Sequence, residues 1–412
     1  MAAQSALGLF RTSPRFAWLM GAFTLYALSL GAREITRLGY IADSIEGEFG
    51  IGVVATIFAL FLAVSNVFAG RLMDARDPRP FLVGSLVVSG ALSTANAWAL
   101  QRGPMSLGWL LATTTLEAIT FGVATPSLLK VQAAVVPPES RGAAETVNIL
   151  RNGVGAALGT VVAGVIGDDV ATLVVAGALC AATGAVTSAI VAPVSIPASA
   201  SGRRGLRDLV SAVRSRPPLQ RTVTIDLVLA AVLPTQVVAL VIVDLDAPEI
   251  ATLAFTASLL GVLAGRLTLT VTGLSGSPTR RLRVAFLGFT AISILATPAL
   301  IGGWIIDRPA LVAVVLFTGS ATISFAQSLP IAILQQQVPD EFRGSLSGAM
   351  NAARSTLIGV AAVAFTVLTY VHNSAALAGA VSASLVLGYL VAGRFRGLTA
   401  SADRVGRSTE AG

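Results

Sequence analysis

A helix-spaced set of polar residues interrupts the first apolar stretch of the chain: Tyr26, Ser29, Arg33, Arg37 and Tyr40. Steps of three and four put them in one stripe of a helix. Glu34 stands three residues before Arg37, where the two can pair. A buried charge costs several kcal/mol unless paired, so this stripe is not expected to face lipid. If the helix crosses the membrane, Arg33 and Arg37 line a cavity and bind an anionic or hydrogen-bonding group, with Tyr26 beside them. If the span ends before Arg33, the same charges sit among the outer headgroups. Glu117 lies near the middle of another apolar run, roughly 20 Å from Lys130 at 1.5 Å per residue. An isolated carboxylate at that depth can exchange protons; as the standing partner of an arginine it would not. Glu34 and Asp226 are next in line for that role, although Asp226 is near the start of its run. Arg151 and Arg354 each follow an asparagine by three residues, and either bind substrate or tether helices.

The elements that position these residues follow from composition. The 412 residues are 54% hydrophobic and 12% charged, where soluble chains carry about 25% charge. Apolar runs of roughly 20 residues, the length that spans a bilayer as a helix, recur throughout. We assign Phe16–Thr36, Ile51–Leu72, Phe81–Leu100, Leu107–Lys130, Ala144–Gly167 and Val170–Val191 in the first half. The second half has Val223–Val243, Ile250–Val271, Arg283–Ile305, Ala310–Leu334, Leu346–Val371 and Ala375–Ala392. The runs are continuous and do not alternate, so helices are expected rather than a barrel. The first run is followed by charged residues and not by a cleavage site, so no cleaved signal is expected.

Between the halves lies the longest internal polar run, Ser195–Arg221, with six arginines against Asp208. Its middle, Leu206–Val213, suits either a short amphipathic helix on the membrane surface or a disordered tether. The expected domains are an N-terminal six-helix half (1–194), a basic linker (195–222), a C-terminal six-helix half (223–393) and a tail (394–412). Arginines and lysines crowd alternate loops, whereas the opposite loops hold only Arg102 and Arg308 among several acids. That asymmetry puts both termini and the linker in the cytoplasm. It also accounts for the net charge of +7 without nucleic acid. One cysteine, Cys180, permits no internal disulfide, and one histidine, His372, no metal cluster. No phosphate loop, nucleophile elbow or metal-ligand spacing is present, so no enzyme and no cofactor are expected.

The halves repeat. Val136–Gly142 (VPPESRG) corresponds to Val338–Gly344 (VPDEFRG), and each is followed by Asn-x-x-Arg, at Asn148/Arg151 and Asn351/Arg354. Ala69–Leu72 and Ala264–Leu267 both read AGRL. Two like-oriented six-helix halves that rock around a polar cavity are an organisation of secondary transporters.

From Gly70 the chain reads GRLMDARDPR. This resembles the loop signature of the major facilitator superfamily, commonly G-x-L-x-D-R-x-G-R-R, with matches at Gly70, Leu72, Asp74 and Arg79 and departures at Ala75, Asp77 and Pro78. The resemblance implies twelve helices and a cytoplasmic gate of Gly70, Asp74, Arg76 and Arg79, with Asp74 facing the start of the eleventh helix. Gly155–Gly164 (GAALGTVVAG) is similar to the glycine motif of proton-driven drug antiporters, with Thr160 in place of proline; simple helix packing explains it equally well. Those antiporters carry an arginine where this chain has Ala118, beside Glu117. The expected function is proton-linked efflux of a small organic molecule by a monomer in the lipid bilayer of the plasma membrane. Uptake of an organic anion is the alternative, motivated by Arg33 and Arg37. A non-transporting receptor or lipid-handling protein is the reading from another class.

Overall fold

Lipid cannot solvate backbone N–H and C=O groups, so long apolar runs satisfy them internally as helices. The computed structural model of the chain describes residues 6–44, 48–137, 140–192, 206–232, 248–272, 307–337 and 343–370. Among these residues no strand occurs. The helices are α1 (Ala6–Thr12), α2 (Pro14–Ser44), α3 (Glu48–Ala75), α4 (Pro78–Arg102), α5 (Leu107–Val135), α6 (Arg141–Ile166) and α7 (Asp169–Val191). They continue as α8 (Leu206–Arg214), α9 (Pro217–Val232), α10 (Pro248–Thr272), α11 (Pro309–Gln337) and α12 (Arg343–Tyr370). The expected spans Arg283–Ile305 and Ala375–Ala392, and the end of the seventh, lie outside the described residues. The middle of the linker is helical, as α8.

Local chemistry sets the ends. Asp77 caps α4 by accepting from the Arg79 amide at 3.0 Å, with Pro78 at the first helical position. Ser106 caps α5 through the Trp109 amide at 3.2 Å. Asp168 caps α7 through the Ala171 amide at 2.6 Å. Gly167 closes α6 in the left-handed region, at φ 63°. By contrast α2 does not stop before Arg33; it runs on to Ser44 and holds the whole polar stripe in one helix.

One compact unit comprises Met1–Leu209 and Val338–Thr366. Within it α2 packs on α6 and α7, α4 on α5 and α7, and α3 on α5. Phe16, Leu19 and Phe23 of α2, Leu86 of α4, Leu128 of α5 and Val147 of α6 belong to its core. Gly31, Gly155 and Gly159 bring α2 and α6 so close that a Cβ on any of them would strike the facing backbone. The helix α12 joins this unit, with Gly348 against the backbone of Asn66 and Gly70 on α3. Large apolar side chains cover the outside: Val165 is 82% exposed, Trp18 68% and Phe68 67%. Such a surface is unfavourable in water and is solvated by hydrocarbon. Five of the described helices are long and apolar enough to cross a membrane.

The other unit comprises Val210–Gln337 and Val367–Gly412. In it α11 packs on α10 and α9. Serine hydroxyls join α10 to α11: Ser258 and Ser320 are 2.7 Å apart, and Ser324 accepts from Arg266 Nε at 3.2 Å.

Candidate functional site

The polar stripe of α2 turns inward onto α4 and α5. Arg33 Nη1 donates to Glu117 Oε1 at 3.4 Å, and to Ser89 Oγ and O at 3.0 and 3.2 Å. One turn on, Arg37 Nη1 donates to Glu117 Oε2 at 3.0 Å and to Thr114 Oγ1 at 3.5 Å. Glu34 pairs with the other end of the Arg37 guanidinium. The Arg37 guanidinium also sits 5.6 Å from the Phe58 ring centroid on α3. Tyr26 is buried, with its hydroxyl hydrogen-bonded to Ser89. Tyr40 ties the far end of α2 to the backbone of Met105. Thus one carboxylate serves two guanidiniums, and all three side chains are at most 13% exposed, whereas Glu34 is 54% exposed. The buried Nε atoms of Arg33 and Arg37 meet no acceptor among the described residues.

A second cluster lies toward the N-terminal end of α6. Arg151 donates from Nε and Nη2 to Asn148 Oδ1 at 3.0 and 2.6 Å, and from Nη1 to Phe23 O on α2 at 2.7 Å. Asn148 Nδ2 reaches both oxygens of Glu145 at 3.4 Å. The Glu145 carboxylate is hydrogen-bonded to Gln132 of α5 and lies in the field of Arg151 and of Arg354 on α12. In the matching position of the repeat, Arg354 Nη1 donates to Asn351 Oδ1 at 3.3 Å. The two Asn-x-x-Arg motifs therefore share a local geometry: the asparagine oxygen receives the arginine three residues on.

The remaining candidates disperse. Gly70 lies against α12, but the Asp74 side chain is outside the described residues. Arg76 is exposed. Arg79 binds Asp77 through Nε and Nη2, and donates to Ala192 O at the end of α7 at 3.1 Å. The α3 end is instead held by Lys130, whose Nζ donates to Met73 O. Asp226 is buried in the second unit, 2% exposed on α9. Glu145, Gln132 and Ser89 were not anticipated from sequence. The signal for Glu145 was present, because Glu145, Asn148 and Arg151 repeat every three residues. Among the described residues no group of His, Cys, Asp and Glu side chains converges as metal ligands.

Long apolar helices that bury guanidinium–carboxylate clusters, with one motif repeated in each half, are the features of an integral membrane protein. The chain belongs to the Major Facilitator Superfamily, whose family model matches residues 18–363. Its fold is accordingly twelve transmembrane helices in two six-helix bundles, and its activity secondary transport of small solutes. Among solved structures it is similar to the human organic anion transporter MFSD10 (TETRAN), at 15% identity and TM-score 0.69, covering 92% of this chain and 97% of that one. It is also similar to the E. coli fucose:proton symporter FucP, at 14% identity and TM-score 0.65, covering 92% and 96%. No curated protein matches the chain.

Proposed function

We propose that this protein carries small organic anions across the plasma membrane together with protons. The observation that carries this reading is the charge arrangement on α2 and α5. Two buried guanidiniums share the single buried carboxylate of Glu117, and each retains an Nε–H without an acceptor among the described residues. A buried donor left unmet costs about 1–3 kcal/mol, so a substrate bearing a carboxylate or phosphate is favoured there. When the acid group takes Arg33 and Arg37, Glu117 loses both partners. A proton from water then adds to its carboxylate oxygen, and anion and proton cross together. On the opposite side the anion leaves, the proton returns to water, and the arginines recapture Glu117. Tyr26 joins the same network through its hydrogen bond to Ser89. The glycines of α6 are accounted for by packing on α2 and carry no weight for the direction of transport.

The test is uptake of a panel of radiolabelled carboxylates and phosphate esters into proteoliposomes under an imposed pH gradient. An inward proton gradient should drive accumulation, and R33Q or R37Q should weaken apparent affinity about tenfold or more, as loss of a charged hydrogen bond implies. Expulsion of the anion by the same gradient would establish export instead. Binding without flux would make the protein a receptor.

A further inference from the structure

The second cluster has an occupant that is held more loosely than its cradle. Arg151, Asn148 and the Phe23 carbonyl are joined by bonds of 2.6–3.0 Å. The Arg151 guanidinium also lies over the Phe23 ring, 5.1 Å from its centroid. Glu145 meets Asn148 only at 3.4 Å on each oxygen, the long end of the hydrogen-bond range. At the first cluster Glu117 is gripped by Arg37 at 3.0 Å and reached by Arg33 at 3.4 Å. The cradle also contains an unmet group. Gln132 is 4% exposed, and its Oε1 finds no donor among the described residues while its side chain bonds to Glu145. Finally, the charges around Glu145 come from both halves of the sequence: Arg151 from the first, Arg354 from the second. Movement of the halves in alternating access would change that pairing.

We propose that Arg151, Asn148, Gln132 and Arg354 form a second anion-binding station, with Glu145 as an internal counter-anion that the acid group of a substrate displaces. The station takes a carboxylate or a phosphate ester. Two or three acceptor oxygens on the ligand replace those of Glu145 beside Asn148 and Gln132, in the field of the two guanidiniums, and a hydroxyl or amine on it would meet Gln132 Oε1. Glu145 then plays the part that Glu117 plays at the first station. It keeps the arginines neutralised while the station is empty and is weak enough to yield. The charge carried by α12 makes occupancy of this station sensitive to the position of that helix. This inference rests on the anion-transport reading, and its test separates the two.

The test is calorimetric titration of the purified full-length protein with benzoate. Wild type should show two steps, one at each station, the step at the second set by competition with Glu145. E145Q removes the competing charge while keeping a polar side chain of the same size, and should strengthen one of the two steps about tenfold or more. R354Q should abolish that same step and leave the other, which R33Q should abolish instead. If E145Q does not fold, R354Q against R33Q still decides the matter. Isotherms of E145Q and R354Q that both match wild type would overturn the second station and leave the transport reading standing. Absence of any benzoate, carboxylate or phosphate-ester binding to wild type would overturn both.

Discussion

The two buried clusters use the same ingredients to different ends. On α2, α4 and α5 one carboxylate is shared between two charges: Glu117 pairs with Arg37 at 3.0 Å and with Arg33 at 3.4 Å, and Ser89 and Thr114 bind the same arginines. On α6 the cradle is tight and the carboxylate is loose: Arg151 is fixed to Asn148 and Phe23, and Glu145 lies beyond at long range. The first cluster is thus a local ion-pair network among neighbouring helices of one half. The second draws α12 in from the other half of the sequence. Proximity of opposite charges does not by itself define a role; which partner is rigid and which can leave does.

The largest effect should come from removing the shared carboxylate. Glu117→Ala leaves Arg33 buried without its counter-ion and Arg37 with only the half-exposed Glu34, and breaking a buried pair in this way costs about 3–5 kcal/mol. Glu145→Ala should cost markedly less, nearer 1–2 kcal/mol, because among the described residues no arginine is ion-paired to it, its bonds to Asn148 are long, and Asn148 still satisfies Arg151. Thermal unfolding of both variants in the same detergent checks this. Equal losses would erase the distinction between an ion-paired carboxylate and one held only by neutral side chains.

A smaller effect sharpens the comparison by moving the helix that serves both clusters. Gly159 presses α6 against the backbone of Leu28 on α2, four residues before Ala32 and five before Arg33. Gly159→Val forces the helices apart and should cost about 1–3 kcal/mol through overpacking. Gly164, where an added Cβ meets nothing within 4 Å, is the control, and Gly164→Ala should leave the melting temperature nearly unchanged. If Gly159→Val is equally silent, the α2–α6 contact does not set the geometry of the clusters.

Much of this architecture was legible in the sequence because lipid enforces it. Apolar length and continuity gave the helices that carry Glu117 and Arg151 to within a few residues. Steps of three and four put Arg33 and Arg37 on one stripe of α2. What sequence could not supply was the partner of each charge. Arg33 and Glu117 are 84 positions apart, and nothing local says that α2 and α5 converge there. The same limit left Glu117 open between proton carrier and ion-pair partner. Glu145 was overlooked for a different reason. It stands one residue inside the expected start of its span, where an acid reads as a loop charge, and only its burial, at 5% exposed, makes it unusual. The loop signature shows the opposite case: its Arg79 matched the family signature and so read as a gate charge, yet the side chain turns to Asp77 and the end of α7.

That last pair offers the smallest effect and a solvent-exposed counterpart to both clusters. Asp77 and Arg79 are 38% and 31% exposed and meet at 2.6 Å. The Arg79 side chain, and then its backbone amide, hold the Asp77 carboxyl below the ordinary carboxylate range. The sign follows from linkage. A carboxyl whose value is depressed on folding contributes stability above its unfolded value, near 3.9, and loses it as pH falls through the folded value. Because water screens an exposed pair, the contribution is small. Asp77→Asn retains a good helix cap and removes only the charge. Its melting temperature should therefore fall slightly below that of wild type above about pH 4 and converge with it in more acid buffer. Asp77→Ala loses the cap as well, and should show a further deficit of about 1 kcal/mol that acid does not remove. A difference between Asp77→Asn and wild type that persists unchanged to the lowest pH at which the protein stays folded would mean that the exposed pair acts through shape, as a turn fixed by hydrogen bonds, and not through charge.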